Sequence, residues 1–258
     1  LSEAGERLGK GAFTEQRLAE ARALYLQVLT LDHENRRGMS GYSATNLLSQ
    51  FSDAIETEEP GKAAMLLDRV EQELEQVGID VGILVPGRER LKLLNSRLAL
   101  RSAIQRQPLS PDTWPDISLL LDEMAALEGG KSLAESGRQG LKAIQDSYSA
   151  VQKNDYETAR DQIKQAEQLL SPLGVKELAS ARSEIQLRHR QWQAERDQEI
   201  ETLLSQAEEY LSQAPLTAQS LDQARTAYQG VRTLDPKQPR ARIGIAVSQH
   251  LAESLGRI

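Results

Sequence analysis

The chain has 258 residues, of which 27% are charged and only 4% are aromatic, and its formal net charge is −7. A core this poor in aromatic residues has to be built from Leu, Ala, Ile and Val, which favours packed helices over a β-sandwich or barrel. Cysteine is absent, which excludes disulfides and thiolate chemistry, and no run of about 18 apolar residues predicts a transmembrane segment in this chain.

The N-terminal residues carry neither the basic segment nor the apolar segment of a signal peptide. The chain also begins at Leu1 and not at Met. We therefore expect this chain to be a fragment or a processed form of a longer protein. One interpretation is that the full-length protein is tethered to a membrane.

Proline, glycine and capping residues divide the sequence into predicted helices joined by short turns. We predict helices over residues 36–56, 61–77, 86–106, 131–153, 155–170, 218–233 and 238–255, and one more that ends near residue 127. Residues 175–213 contain neither Pro nor Gly, and they fit either one long helix or two. The predicted fold is therefore all-α, a single array over residues 1–258 of five helical hairpins and a terminal helix. Its repeat units cover residues 1–35, 36–85, 86–129, 130–173 and 174–236, and the terminal helix covers 237–258.

The two ends of the chain repeat one another. Residues 1–48 align without a gap on residues 204–251, and 18 of the 48 pairs are identical. The identical pairs include Ala4/Ala207, Leu8/Leu211, Leu18/Leu221, Ala21/Ala224, Tyr25/Tyr228, Val28/Val231, Leu31/Leu234, Asp32/Asp235 and Gly41/Gly244. The apolar ones step by three or four residues, which is typical of one helical face. We expect both segments to superpose as helix–turn–helix–turn units.

Two residue types in this repeat carry specific predictions. We expect Tyr25 and Tyr228 to be buried, each against the first helix of its own hairpin. We also expect Asp32 and Asp235 to cap the helix that follows, with Pro236 at the first helical position of the second copy.

Residues 21–35 and 224–238 resemble the second helix and exit turn of a tetratricopeptide (TPR) repeat, which has Ala, an aromatic residue four positions on and then Leu-Asp-Pro. Leu8 and Gly9 match the Leu-Gly of the first helix, and residues 154–166 resemble a weaker third copy. The sequence departs from the family in two ways. Val28 and Val231 replace a small residue, and the repeat spacing averages about 51 residues, whereas ordinary TPR units have 34.

The resemblance implies a superhelix that presents a concave surface to a peptide or protein partner, as a non-catalytic interaction scaffold. An alternative is the sensory or regulatory region of a larger, membrane-anchored bacterial protein, such as a kinase-like or secretion-system component. The Gln-rich helices, the Leu-Asp-Pro turns and the absence of Cys are similar to bacterial extracytoplasmic TPR regions. They imply a periplasmic location, with the cytoplasm as the alternative.

No motif predicts an enzyme. The segment from Gly5 to Lys10 is one residue too short for a phosphate loop, and residues 129–132 match only its end; neither follows a predicted strand. The three histidines, His33, His189 and His250, lie far apart in the sequence without metal-ligand spacing. We therefore predict no catalytic residue, no cofactor and no metal site.

Charge is distributed unevenly between two consecutive predicted helices. Residues 53–80 hold nine acidic and two basic side chains, whereas residues 88–106 hold six basic and one acidic side chain. One interpretation is mutual compensation within the hairpin. The other is that Arg90, Arg97 and Arg101, which share a helical face, bind a partner such as an acidic peptide or a C-terminal carboxylate. Nucleic acid is not expected, because no aromatic residues are interleaved with these arginines.

Trp192 lies in the long predicted helical segment, where apolar residues recur at intervals of seven or eight. This face either packs within the array or leaves Trp192 on an exposed partner surface. The sequence leaves both interpretations open.

Overall fold

A computed structural model of the chain describes residues 14–76, 78 and 80–255, and all regular secondary structure in these residues is helical. The α-helices are α1 (Glu15–Leu31), α2 (Arg36–Glu56), α3 (Pro60–Gln76), α4 (Val85–Arg106), α5 (Trp114–Ala125), α6 (Gly130–Gln152), α7 (Tyr156–Leu170), α8 (Ala179–Ser212), α9 (Ala218–Leu234) and α10 (Pro239–Leu255). Short 3-10 helices cover Val81–Leu84, Pro111–Thr113 and Ser171–Leu173. The predicted all-α class is therefore confirmed for the described residues.

The predicted helix bounds agree with the observed ones to within about two residues. The question left open for residues 175–213 is settled by α8, a single helix of 34 residues. The predicted first helix of the first hairpin lies outside the described residues.

Helices that are neighbours in sequence pack against one another, as in the pairs α1–α2, α2–α3, α3–α4, α4–α5 and α9–α10. The chain divides into two compact units. One comprises Leu1–Ser149 with Glu157–Arg182, and the other comprises Ala150–Tyr156 with Ser183–Ile258. The single array expected from the sequence stays a prediction.

The described parts of the two repeated segments have the same local structure. With an offset of 203 residues, α1 and α2 begin where α9 and α10 begin, and α1 ends where α9 ends. The buried pairs are Leu18/Leu221, Ala21/Ala224, Tyr25/Tyr228, Gly38/Ala241, Gly41/Gly244 and Thr45/Ser248. The residues that end α1 and α9 also match, with φ −147° and ψ 93° at Asp32 and φ −138° and ψ 96° at Asp235.

The burial predicted for both tyrosines is confirmed, since Tyr25 is fully buried and Tyr228 is 5% exposed. Each ring lies against a glycine of the helix that follows it. A Cβ built on Gly41 would lie 2.2 Å from Cε1 of Tyr25, and one built on Gly244 would lie 2.2 Å from Cζ of Tyr228. The sequence predicted a contact with the preceding helix and missed this one. Tyr228 shares its core cluster with Leu204 of α8, whereas the residue of the first copy that corresponds to Leu204 is Leu1, which lies outside the described residues.

The helix-capping role predicted for the two aspartates is wrong. Asp32 and Asp235 end the preceding helix, and their carboxylates accept the N–H two residues on, from Glu34 at 3.3 Å and Lys237 at 3.0 Å. The next helices begin later, at Arg36 and Pro239, so that Pro236 lies in the turn. Asp side chains close such turns as readily as they cap helices, and the sequence pattern alone does not separate the two roles.

The predicted apolar face of α1 is also shorter than expected. Leu31 is 90% exposed, whereas Leu234 in the second copy is partly buried against a cluster that contains residues of α8. In the first copy, Leu204, Ala207 and Leu211 of α8 correspond to Leu1, Ala4 and Leu8, which lie outside the described residues.

Replacing either glycine with alanine tests the tyrosine contact. We expect Gly41→Ala and Gly244→Ala each to lower the free energy of unfolding by about 1–3 kcal/mol, because a buried aromatic ring has no room to move away from the new methyl group. Gly61→Ala in α3 is the control, because nothing lies within 4 Å of its added Cβ, and we expect it to be neutral or to stabilise by up to about 1 kcal/mol. Urea unfolding monitored by circular dichroism measures the free energy of unfolding of all three variants. If Gly61→Ala destabilised the chain as much as the other two, this packing would be contradicted.

Replacing Tyr25 with Phe tests the state of its hydroxyl, which is buried without a hydrogen-bond partner among the described residues. We expect Tyr25→Phe to raise the free energy of unfolding by about 1 kcal/mol at neutral pH, because an unsatisfied polar group is removed. Burial also raises the pKa of this hydroxyl, so the wild type should lose stability as the pH rises above about 10 and the variant should lose less. Tyr228→Phe is the matched control, and we expect it not to raise the free energy of unfolding at neutral pH. Urea titrations compare the wild type with the two variants.

Candidate functional site

The candidate site lies on α4, where Arg90, Arg97 and Arg101 are spaced by seven and four residues and are all partly buried. Pro86 opens this helix, and its buried residues Leu94, Leu100 and Ile104 anchor it in the core. The arginines therefore project from a helix that is fixed along its length.

Two of the three arginines bind the same carboxylate. Arg97 Nη2 donates to Glu58 Oε1 at 2.6 Å, and Arg101 Nη1 donates to Glu58 Oε2 at 2.7 Å. The three side chains are only 28–30% exposed. In addition, Arg88 pairs with Glu71 across α3 and α4. Charge compensation within residues 53–106, one of the two interpretations of the sequence, is thus observed at Arg97 and Arg101.

Glu58 occupies an unusual backbone position. It follows the C-terminus of α2 with φ +57°, in the left-handed region, where glycine is the common residue. The N–H of Glu58 donates to the Ile55 carbonyl at 3.3 Å, and the N–H of Glu59 donates to the Ala54 carbonyl at 2.8 Å. A side chain in this conformation costs about 1–2 kcal/mol relative to glycine, and at this position the two arginine bonds oppose that cost.

The arginines also change the acidity of Glu58. The hydrogen bond from Arg101, together with the positive charges of Arg101 and Arg97, lowers the pKa of the carboxyl group, while partial burial opposes the change. Glu58 therefore stays ionised over the whole neutral range and holds α4 against the end of α2.

A cavity of about 280 Å³ lies beside this ion-pair cluster. It is lined by Ile55, Glu56, Arg90, Leu93, Leu94, Arg97 and Leu133, from α2, α4 and α6. Arg90 forms no ion pair with any described residue. The Nε of Arg97 is buried without a hydrogen-bond partner among the described residues. The cavity thus combines aliphatic walls with two guanidinium groups that keep unused donors.

The sequence prediction and this geometry overlap in part. Arg90 and Arg97 meet at the cavity, whereas Arg101 packs over the backbone of Gly174, where its Nη1 would lie 2.9 Å from an added Cβ. The aliphatic walls were missed because they come from three helices. Glu58 was counted among the acidic residues of the segment, but its sequence position gives no signal of its left-handed conformation.

The structure also places the other residues that the sequence singled out. No group of three or more His, Asp or Glu residues there is placed to hold a metal ion. Gly130 begins α6 and Gly129 makes the preceding turn with φ +75°, while Gly5 and Lys10 lie outside the described residues. None of the described helices is long and apolar enough to cross a membrane.

Trp192 is partly exposed and forms one end of an aromatic stack. The ring of His189 lies 4.6 Å from that of Tyr156 and 6.1 Å from that of Trp192, and the Arg196 guanidinium lies 4.9 Å from the Trp192 ring. Trp192 is therefore packed against neighbouring side chains of its own chain, and a role for it in partner binding stays a prediction.

Neutralising Glu58 tests the role of the ion-pair cluster. We expect Glu58→Gln to lower the free energy of unfolding at pH 7 by about 1 kcal/mol, the upper part of the range for partly exposed pairs. Because the folded-state pKa of Glu58 is lowered, its contribution is present above the unfolded pKa and is lost as the pH falls below it. The difference between wild type and variant should therefore shrink between pH 6 and pH 3 in urea titrations. A difference that does not vary with pH would contradict the assignment.

No protein-family model matches the sequence, and comparisons with curated proteins and with solved structures likewise give no match.

Proposed function

We propose that the chain is a non-catalytic protein-interaction scaffold of the TPR-like type, and that the cavity at Arg90 and Arg97 binds an acidic peptide segment of a partner protein. The observation that supports this most directly is the combination in one cavity of aliphatic walls and guanidinium donors that are not used by the protein itself.

The size of the cavity is compatible with one side chain of a bound peptide. Sites for small molecules and cofactors usually have volumes of about 300–1,000 Å³, and this open cavity, of about 280 Å³, lies at the lower end of that range. One aliphatic or aromatic side chain fills such a volume and contacts Leu93 and Leu133. Further affinity has to come from residues of the peptide that lie outside the cavity.

The charged residues at the cavity determine which peptide residues fit beside that side chain. A guanidinium binds a carboxylate through two parallel hydrogen bonds, and Arg90 has both of its terminal nitrogens available for this. Glu56 on the cavity wall repels a carboxylate that enters from its side. The preferred ligand therefore has an apolar residue next to an acidic residue or a free C-terminus, with the carboxylate directed toward Arg90.

A peptide library with free C-termini tests the proposal. Nine-residue random peptides displayed on phage are selected against the immobilised chain, and the enriched sequences are synthesised with a fluorescent label. We expect enrichment of an apolar residue adjacent to Asp, Glu or the C-terminus. We expect Arg90→Gln to weaken binding of these peptides about tenfold, and added salt to weaken binding to the wild type.

Lys92→Gln is the matched control, because Lys92 is an exposed residue of the same helix and its substitution changes the net charge by the same amount. We expect this variant to bind as the wild type does, and Arg90→Gln to unfold at the wild-type urea concentration. Equal binding by the wild type and Arg90→Gln, or enrichment of basic peptides, would overturn the proposal.

A further inference from the structure

The last described helix, α10, has an apolar stripe that the described residues leave uncovered. It consists of Ile243, Val247, Leu251 and Leu255, which are 61%, 42%, 37% and 39% exposed. Residues spaced by four lie on one side of a helix. Single exposed apolar residues are common on protein surfaces, but this stripe runs through three consecutive turns.

The internal repeat shows what covers this side of the helix in the other copy. With the offset of 203 residues, Val247 corresponds to Ala44 and Leu251 corresponds to Leu48 in α2. Ala44 and Leu48 are both fully buried. The same side of equivalent helices is thus buried in the first copy and exposed in the second.

The covering element in the first copy is α3, which packs along α2. Its buried residues form a seam with helical spacing, consisting of Ala63, Leu66, Leu67, Val70 and Leu74. They belong to the same core cluster as Ala44 and Leu48. No helix in the described part of the chain takes this place on α10.

We propose that the stripe on α10 binds an amphipathic α-helix of a partner protein, in the way that α2 binds α3. This surface is separate from the arginine cavity, and the inference does not depend on the function proposed for that cavity.

The partner helix is expected to have an apolar seam with the spacing of α3 and acidic residues beside it. Arg242, next to Ile243, is exposed and forms no ion pair with the described residues. Beside its own seam, α3 carries Asp68, Glu71, Glu73 and Glu75 against Lys62 and Arg69. An acidic helix is therefore complementary to α10 in charge as well as in apolar spacing.

A second copy of the chain fits the stripe less well. The stripe of a second α10 is flanked by the basic Arg242, whereas the seam of α3, which packs along the equivalent helix α2, is flanked by Asp68, Glu71, Glu73 and Glu75. The proposal therefore commits to a helix from a different protein.

The test uses a fluorescein-labelled synthetic peptide with the sequence of residues 60–76, held helical by a lactam cross-link on its polar side. Fluorescence anisotropy measures its binding to the full chain. We expect saturable binding to the wild type and at least a tenfold weaker affinity for Val247→Asp and for Leu251→Asp. A scrambled peptide of the same composition and cross-link should not bind.

Leu187→Asp is the matched control, because Leu187 is 56% exposed on α8, and this variant should bind the peptide as the wild type does. Circular dichroism establishes that each variant keeps its helical content. The proposal is overturned if the peptide does not bind the wild type, or if Val247→Asp binds equally, as expected when the peptide displaces α3. It is also overturned if sedimentation shows a wild-type dimer that Leu251→Asp converts to a monomer.

Discussion

The contact between a tyrosine ring and a glycine on the following helix sets the packing of both repeated hairpins. Since glycine has no side chain, the helix axis can approach until the ring rests on the backbone at Gly41 or Gly244. In each hairpin the aromatic ring then fills the space beside one small buried alanine, which is Ala21 in the first hairpin and Ala224 in the second. In a chain with only 4% aromatic residues, two of its ten aromatic side chains are committed to this one contact, so the hairpin geometry depends on them.

The arginines of α4 lie in two different environments. Glu58 forms ion pairs with both Arg97 and Arg101, and these pairs join the end of α2 to the middle of α4. Arg90, two turns earlier, has no such partner among the described residues, and it lies at the cavity. The acidic residues of segment 53–80 thus pair with only some of the basic residues of α4. Arg90, which has no ion-pair partner among the described residues, lies beside the aliphatic walls of the cavity. This coincidence, more than the number of arginines, distinguishes the cavity from an ordinary charged surface.

The sequence predicted the helices well because Pro, Gly and polar turns mark their ends, and the repeat predicted the burial of Tyr25 because identical residues recur at packing positions. It failed where the outcome depends on three-dimensional neighbours. Leu31 follows the helical period, yet it is 90% exposed, whereas its counterpart Leu234 packs partly against a cluster that contains residues of α8. Arg101 shares a face with Arg90, yet it binds Glu58 because the turn after α2 adopts a left-handed conformation. The cavity walls come from α2, α4 and α6, and no linear pattern joins them.

The duplicated tyrosine–glycine contact has a consequence for how the chain assembles. Both hairpins use the same tyrosine–glycine contact, so during folding the tyrosine of either hairpin can meet the glycine of the other. Mispaired and domain-swapped species are the characteristic errors of repeated sequences. Divergence at the remaining positions, such as Gly38 against Ala241, limits this exchange. Refolding at high protein concentration therefore favours intertwined oligomers, and synthesis from the N-terminus, which completes α1 and α2 long before α9, favours the correct pairing.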